Sequence, residues 1–207
     1  MAADVYAAAR VAQIMLYAGV KDVRLLDGGW KAWDNAKLPV ERGTPNKVTP
    51  AANFGAPIPG QPQLMLNTEQ ARGLLHRKDA SLVSIRSWPE FTGVTSGYSY
   101  IKPKGEIAGA RWGHAGSDST HMEDFHNPDG TMRSAEDIAA MWKQWHILPD
   151  QQVAFYCGTG WRASETFMYA RAMGWKNVGV YDGGWYEWSS NPQNPVATGE
   201  RGPGASL

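Results

Sequence analysis

Cys157 is the only cysteine among 207 residues, and its surroundings favour the thiolate form. It follows residues 153–156, an apolar run typical of a buried strand, and precedes residues 163–170, which are typical of a helix. The turn between them reads Cys157-Gly158-Thr159-Gly160-Trp161-Arg162. Its two glycines let successive backbone N–H groups face one point, and the helix N-terminus and Arg162 add positive charge there. We therefore expect a nucleophilic thiolate held by this loop, although a lone cysteine can also be a small buried apolar residue.

The composition is that of a globular chain without excess charge. Hydrophobic residues make up 43% and charged residues 19%, and 20 basic side chains balance 20 acidic ones. This balance gives no reason to expect nucleic acid or an anionic membrane as a partner. No apolar run reaches membrane-spanning length, and a single cysteine cannot form an internal disulfide that would indicate the compartment.

Two segments of the chain, residues 16–33 and 171–188, repeat each other. The pattern of each segment predicts the end of a helix with a glycine cap, then a short strand, then an Asp-Gly-Gly turn. A second helix follows, with two tryptophans three residues apart. The register places Ala2 opposite Cys157, so the first copy begins about where its own nucleophile loop would stand. Asp27 and Asp182 open the equivalent turns, and because one copy lacks a cysteine we expect both to form turns and not to act in catalysis.

The repeat and the proline distribution divide the chain into three parts. We interpret residues 1–46 as the C-terminal remnant of a first domain, residues 47–62 as a proline-rich linker, and residues 63–207 as a complete catalytic domain with a Pro/Gly-rich tail.

The predicted remnant has too little core to fold alone. It contains a predicted helix over Val5–Tyr17 and a short apolar strand at Leu25–Leu26. The apolar stripe of the helix consists of Val11, Ile14, Met15 and Ala18. We expect this segment to dock on the second domain or on another copy of the chain, and remaining apolar surface would favour self-association.

Helices and strands alternate through residues 63–188. The patterns predict helices at residues 68–75, 89–91 and 135–145, and strands at 81–85, 111–112, 153–156 and 178–181. Alternation of this kind predicts a parallel sheet covered by helices on both faces. Ligands of such sheets bind beyond the carboxyl ends of the strands, which is where Cys157 falls.

Four motifs, in the right order, resemble those of the rhodanese sulfurtransferases. They are residues 82–91, 105–110, 156–164 and 180–188. The resemblance covers the whole second domain, extends to residues 1–43 as a truncated first repeat, and is greatest to tandem-domain members. It implies an α/β rhodanese-like domain with a central parallel β-sheet flanked by helices on both faces, preceded by the C-terminal remnant of another such domain. It also implies a periplasmic location, although this chain carries no signal peptide.

The resemblance implies a sulfurtransferase. A sulfane sulfur would pass from a donor such as thiosulfate or mercaptopyruvate to a thiol or cyanide-like acceptor through a persulfide on Cys157, with no metal or organic cofactor. The alternative is a weakly active or non-catalytic module that carries sulfur or binds a partner. Phosphoryl or arsenate chemistry is the nearest competitor, but cysteine phosphatases have Cys-x5-Arg, whereas Cys157 and Arg162 form a tighter Cys-x4-Arg loop that suits a single sulfur atom.

The sequence departs from the family pattern at two positions in the first two motifs. Ser84 stands where the family usually has aspartate, and Glu106 where it usually has histidine. Arg86 matches the arginine of the first motif, and two roles for it remain equally open. It could bind an anionic donor, or it could form an ion pair with Glu90, four residues further on.

A polar segment carries several side chains that could bind a metal: His114, His121, His126, Asp118, Glu123 and Asp124. Their spacings match no standard metal-binding pattern, so we interpret the segment as a solvated loop.

Overall fold

The computed structural model describes residues 5–44 and 47–203. Its helices are α1 (Val5–Ala18), α2 (Gly29–Asn35), α3 (Thr68–Leu74), α4 (Trp88–Phe91), α5 (Ala135–Gln144), α6 (Trp161–Ala172) and α7 (Gly184–Ser190). Its strands are β1 (Met65–Leu66), β2 (Ala80–Ser84), β3 (Glu106–Ile107), β4 (Arg111–Trp112), β5 (Gln152–Tyr156), β6 (Val178–Tyr181) and β7 (Val196–Ala197). The ends of the predicted remnant, residues 1–4 and 45–46, and the last residues of the tail, 204–207, lie outside the described residues.

Five parallel strands form the central sheet, in the order β1-β6-β5-β2-β4. β5 lies in the middle, and its residue Ala154 pairs with Leu82 of β2 on one side and with Gly179 of β6 on the other. Strands β3 and β7 form a separate antiparallel pair. The predicted parallel sheet is therefore confirmed, and its central strand delivers Cys157 to the carboxyl edge.

Helices cover both faces of the sheet, as the alternating pattern predicts. One buried cluster joins α1, α5 and α6 through residues such as Ala9, Ile138 and Phe167. The other joins α3 and α7 through residues such as Leu74 and Trp188. Burial on both faces explains why all of β2, and all of β5 after Gln152, is buried, without the alternation of a half-exposed strand.

Local capping fixes where two of these helices begin. The Asn67 side chain accepts a hydrogen bond from the Gln70 backbone N–H, and the Gln70 side chain accepts one from the Asn67 N–H. The Ser134 hydroxyl accepts a bond from the Asp137 N–H at the start of α5. Both helices start where the sequence predicts.

Helix α1 packs along α6, but through a different face from the predicted one. Its buried residues are Ala9, Ala12, Gln13 and Leu16. The predicted stripe was wrong, because Val11 is 58% exposed and Ile14 and Met15 are each 41% exposed. Alanines on the docked face let the two helix axes approach closely, and the Gln13 amide donates a hydrogen bond of 3.2 Å to the Leu64 carbonyl.

The predicted strand at Leu25–Leu26 was also wrong. These residues have no regular secondary structure, and Leu26 is 50% exposed, whereas Leu25 packs partly against the core. A strand needs a hydrogen-bonded neighbour, and within residues 5–44 and 47–203 no strand pairs with this segment. The segment is nevertheless attached, since the Met132 N–H donates a 2.7 Å hydrogen bond to the Asp27 carboxylate.

Among the helices of residues 5–44 and 47–203, none combines the length and apolar character needed to cross a bilayer.

We predict that truncating the docked face of α1 destabilises the protein more than truncating its exposed face. Leu16 is 3% exposed, so Leu16→Ala should lower the free energy of unfolding by about 2–5 kcal/mol. Val11→Ala on the same helix should change it by less than about 0.5 kcal/mol. Urea unfolding of both variants measures the difference, and equal effects would show that α1 is not docked in this way.

Candidate active site

Cys157 directly follows β5 at the carboxyl edge of the sheet and is 1% exposed. Its carbonyl accepts a 2.8 Å hydrogen bond from the Trp185 N–H, and the Gly158 carbonyl accepts one of 3.0 Å from the Tyr186 N–H. These bonds fix the loop against the start of α7. A cavity of about 210 Å³ opens above the cysteine, lined by Tyr6, Tyr98, Tyr100, Ser119, Cys157, Thr159, Trp161 and Arg162.

The loop ends in the N-terminus of α6, as predicted. Gly160 is the N-cap with φ +85°, a left-handed conformation that favours glycine. The Gly158 N–H donates to the Tyr98 hydroxyl at 3.1 Å. Across the described part of the chain, the N–H groups of Thr159 and Gly160 have no protein acceptor. These donors, with the unpaired N–H groups of the first turn of α6, can stabilise an anionic sulfur.

The Arg162 side chain is hydrogen-bonded beneath the loop and is only 2% exposed. Its guanidinium donates to the two carboxylate oxygens of Glu90 at 2.9 and 3.0 Å, to the Tyr98 hydroxyl at 2.5 Å and to the Asp118 carbonyl at 3.2 Å. Burial acts to lower the pKa of Arg162, but the Coulombic influence of Tyr98, Glu90 and Cys157 raises it overall. Arg162 therefore stays charged, and Glu90 balances much of that charge.

Glu90 is the partner that the sequence reasoning did not connect with the cysteine loop. Burial acts to raise its pKa, but the charge of Arg162 and its hydrogen bonds lower it overall, with a further contribution from Arg86. The carboxylate also accepts bonds from the N–H and hydroxyl of Ser87 at 3.0 and 2.8 Å, and the bond from the Ser87 N–H is one half of the capping box at the start of α4. The Ser-x-x-Glu spacing was a visible signal for the cap, although not for the pairing with Arg162.

Arg86 is completely buried. Its guanidinium donates to the Gly105 carbonyl at 2.7 Å, to the Ser96 carbonyl at 3.1 Å, and to the carboxylates of Glu106 and Glu90 at 3.2 and 3.4 Å. Every nitrogen is thus occupied, and Arg86 does not line the cavity. This geometry fits the ion-pair alternative and leaves no exposed guanidinium edge for a donor anion.

Tyr98 is a second residue that sequence reasoning missed. Its hydroxyl links the Gly158 N–H to Arg162, and its ring lies under the Arg162 guanidinium, 5.7 Å from ring centroid to Cζ. Burial raises the pKa of Tyr98, so the hydroxyl stays protonated near neutral pH. A Cβ on Gly158 would lie 2.3 Å from this ring, so glycine at 158 is required by Tyr98. Tyr98 sits in an irregular loop with no local sequence signal.

The Asp-Gly-Gly turn before α7 supports the loop from the other side. Gly184 has φ +54°, and a Cβ there would lie 2.5 Å from the Cys157 carbonyl. Asp182 also forms an ion pair of 2.5 Å with Arg10 of α1. The equivalent glycine of the first copy, Gly29, has φ +56° but has nothing within 4 Å of such a Cβ. The two copies therefore share a left-handed second glycine, but they differ at the first, where Gly28 has φ +70° and Gly183 has φ -60°, and in what the turn contacts.

The histidines weighed as metal ligands form separate carboxylate pairs. His121 lies 2.7 Å from Asp118, and His126 lies 2.5 Å from Glu165. The His114 ring is 3.6 Å from the carboxylate of Asp124, which is the third pair. Among the described residues, no three His, Cys, Asp or Glu side chains converge in a metal-binding arrangement.

We predict that Glu90→Gln destabilises the fold by about 3–5 kcal/mol at neutral pH, because it leaves buried arginine charge uncompensated. Since the folded-state pKa of Glu90 lies below its ordinary value of 4.5, its contribution is fully present above that value and is lost as pH falls through the folded-state value. Urea unfolding at several pH values should show the wild type losing this advantage below about pH 4.5. The control Glu136→Gln, at an exposed position in α5, should behave like wild type; a matching loss in both variants would contradict the network.

Comparisons with known proteins agree with this geometry. The thiosulfate sulfurtransferase YnjE of Escherichia coli (strain K12) is 85% identical over 203 residues, covering 98% of this chain and 47% of the relative. The sulfur carrier protein TtuD of Thermus thermophilus is 29% identical, covering 89% of this chain and 64% of the relative. The chain therefore spans about half to two thirds of the length of these relatives.

Solved structures show the same likeness. The crystal structure of YnjE superposes with a TM-score of 0.93 at 86% identity, over 97% of this chain and 48% of that one. The wild-type structure of EanB superposes with a TM-score of 0.89 at 46% identity, over 95% of this chain and 45% of that one. Another EanB structure is described as a cysteine persulfide in a tetrahedral intermediate state with ergothioneine.

The family assignment rests on the domain that contains the cysteine loop. Residues 67–191, from the cap of α3 to the end of α7, match the family model described as a rhodanese-like domain. With the parallel sheet, the loop at the end of β5 and the relatives above, this match shows that the chain belongs to the rhodanese-like domain family.

Proposed function

We propose that this chain is a sulfurtransferase that forms a persulfide on Cys157. The observation that carries the proposal is the position of the sole cysteine, at the floor of a 210 Å³ cavity and at the N-terminus of α6. Relatives named thiosulfate sulfurtransferase support the activity, and the persulfide of EanB supports the intermediate.

In the first step, the Cys157 thiolate attacks the outer sulfur of thiosulfate. A bond forms between Sγ and that sulfur, the S–S bond of thiosulfate breaks, and its electron pair leaves with sulfite. The persulfide carries one negative charge in place of the thiolate. The N–H groups of Thr159 and Gly160 and the first turn of α6 stabilise that charge.

In the second step, a nucleophilic acceptor attacks the outer sulfur of the persulfide. The new acceptor–sulfur bond forms as the Sγ–S bond breaks, and the electron pair returns to Cys157 as thiolate. Arg162 keeps the loop in shape during both steps, because its bonds to Glu90 and to the Tyr98 hydroxyl hold the wall of the cavity. Because Glu90 neutralises part of the Arg162 charge, Arg162 attracts the anionic sulfur less strongly than an unpaired arginine would.

A second candidate is a sulfur carrier that holds the persulfide for a partner protein and turns over slowly. The relative named sulfur carrier protein TtuD supports it. Steady-state assays with cyanide and with small thiols distinguish the two: a persulfide that forms readily but is discharged slowly by every small acceptor favours the carrier.

Three further expectations stay predictions. The assignment of residues 1–46 to the end of a preceding domain is supported by the E. coli relative, which is about twice as long as this chain. A periplasmic location is supported by the resemblance alone. Self-association is supported by the exposed apolar residues of α1, while the docked contacts of α1 lie within one molecule.

We predict that Cys157→Ser abolishes sulfur transfer and leaves the fold intact. Serine is similar in size, but its hydroxyl is a far weaker nucleophile at neutral pH, and no other cysteine exists to replace it. Intact-mass measurement after incubation with thiosulfate should show wild type gaining the mass of one sulfur atom and the variant gaining nothing. Transfer to cyanide by the variant would place the chemistry elsewhere.

We also predict that Gly158→Ala slows persulfide formation at least tenfold, on the scale of a misplaced catalytic group. The added Cβ must displace Tyr98, which supports both the loop and Arg162. Gly73→Ala is the matched control, because a Cβ there meets nothing within 4 Å in α3, and it should be neutral or stabilising by about 0.5–1 kcal/mol. Stopped-flow measurement of sulfite release compares the two, and an unaffected Gly158→Ala would show that Tyr98 does not set the loop geometry.

A further inference from the structure

Arg10 of α1 forms an ion pair that contacts the cysteine loop from outside the matched family domain. Its guanidinium lies 2.5 Å from Asp182 Oδ1, and its side chain is only 14% exposed. A Cβ on Gly160, the N-cap of α6, would lie 3.0 Å from both Arg10 Nη1 and Asp182 Oδ1. Because the family match begins at residue 67, a segment that precedes the matched domain supplies this contact.

The Asp-Gly-Gly turn fixes the Asp182 carboxylate beside the loop. The turn leads into α7, whose first N–H groups bind the carbonyls of Cys157 and Gly158. The Oδ1 atom that faces Arg10 is buried, so water and salt screen its charge poorly. Without a cation beside it, this carboxylate would repel an anionic sulfur on Cys157 and would compete for the N–H groups of the loop.

The other charged groups near the cysteine do not compensate this carboxylate. Arg162 of α6 is bound to Glu90 of α4 and to the hydroxyl of Tyr98, which is protonated near neutral pH. Glu187 of α7, whose carboxylate lies beside the turn, adds negative charge and accepts a hydrogen bond from a threonine hydroxyl. Among the described residues, Arg10 is therefore the cation that pairs with the turn aspartate.

The other copy of the repeat has the turn aspartate but not this compensation. The register of the repeat places Glu165 opposite Arg10, and Asp27 opposite Asp182. The Asp27 carboxylate accepts a backbone N–H hydrogen bond, and Glu165 pairs with His126. Of these two turn aspartates, both within the described residues, the arginine pairs with the one beside the cysteine. Turn formation alone thus does not account for the arginine.

We propose that Arg10 is a positioning residue for the chemistry of Cys157: by pairing with Asp182, it removes a negative charge that opposes the thiolate and leaves the N–H groups of the loop free for the sulfur. Arg10 is not part of the cavity lining, so it acts through Asp182 and not by contact with the substrate. The effect on persulfide formation rests on the proposed sulfurtransferase function, whereas the effect on the thiolate does not.

The test measures the rate at which iodoacetamide alkylates Cys157 in the full chain, as a function of pH at low ionic strength. Iodoacetamide is uncharged, so a changed side-chain charge alters the thiolate and not the approach of the reagent. Arg10→Met keeps the length of the side chain without its charge, and it should raise the midpoint of the profile by at least about 0.5 pH unit. Asp182→Asn should lower the midpoint, because it leaves the Arg10 charge unopposed.

The double variant decides between charge and structure. Arg10→Met with Asp182→Asn removes both charges and should return the midpoint to within about 0.2 pH unit of wild type. A purely structural ion pair would give shifts in the same direction for both single variants and no recovery in the double variant, and that result would overturn the proposal. Where Arg10→Met fails to fold, Asp182→Asn decides alone, since an unchanged or raised midpoint would contradict the proposed effect of charge.

Arg24→Met is the matched control. Arg24 belongs to the same N-terminal segment and forms an ion pair of 2.8 Å with Asp22, but both side chains are exposed and lie outside the cavity lining. Its loss should leave the alkylation profile unchanged. A shift as large as that of Arg10→Met would show that the profile responds to overall charge and would overturn the role of Arg10.

Stopped-flow measurement of sulfite release from thiosulfate separates this inference from the proposed function. Arg10→Met should release sulfite at least about threefold more slowly than wild type, and Arg24→Met should not. Opposite alkylation shifts in a protein that forms no persulfide would reject the sulfurtransferase and leave the role of Arg10 standing. A persulfide that forms in a protein whose alkylation profile neither single variant moves would reject the role of Arg10 alone.

Discussion

The buried carboxylate of Glu90 is the constraint on which the active-site loop depends. It lies between two buried arginines, Arg86 of the first motif and Arg162 of the cysteine loop, and its own pKa is lowered by them against the effect of burial. A carboxylate and a guanidinium this deeply buried are tolerated only while each keeps its partner. The strand-to-helix turn at Cys157 is therefore fixed by residues more than 60 positions earlier in the chain.

The two departures from the family pattern contact each other through the same network. Ser84, in place of the usual aspartate, donates a 2.6 Å hydrogen bond to Glu106, which stands in place of the usual histidine. Glu106 in turn pairs with Arg86 and accepts from the Tyr156 hydroxyl. Arg86 is therefore paired with a carboxylate of the second motif, Glu106, as well as with Glu90. Both positions at which this sequence departs from the family pattern thus belong to the network that binds Arg86.

The sequence was sufficient wherever the determining signal is local. The apolar run of β5, Gly160 at the N-cap of α6 and the cap at Asn67 each specify their own conformation within a few residues. Prediction from the sequence failed where a residue far away in the chain determines the local structure. Ranking by hydrophobicity selected Val11 for the docked face of α1, although close helix packing selects Ala9 and its neighbours. Tyr98 occupies an irregular loop, and only the folded chain brings it to Gly158.

Helix α1 forms part of the active site, because two of its side chains contact the cysteine loop or line the cavity. Arg10 of α1 pairs with Asp182, and both side chains lie 3.0 Å from where a Cβ on Gly160 would stand. Tyr6, one turn earlier, lines the cavity itself. Loosening α1 would therefore open the wall of the cavity and release Asp182 beside the N-cap of α6. The docking of α1 through small residues, which sequence patterns did not reveal, sets the shape of the pocket in which the chemistry occurs.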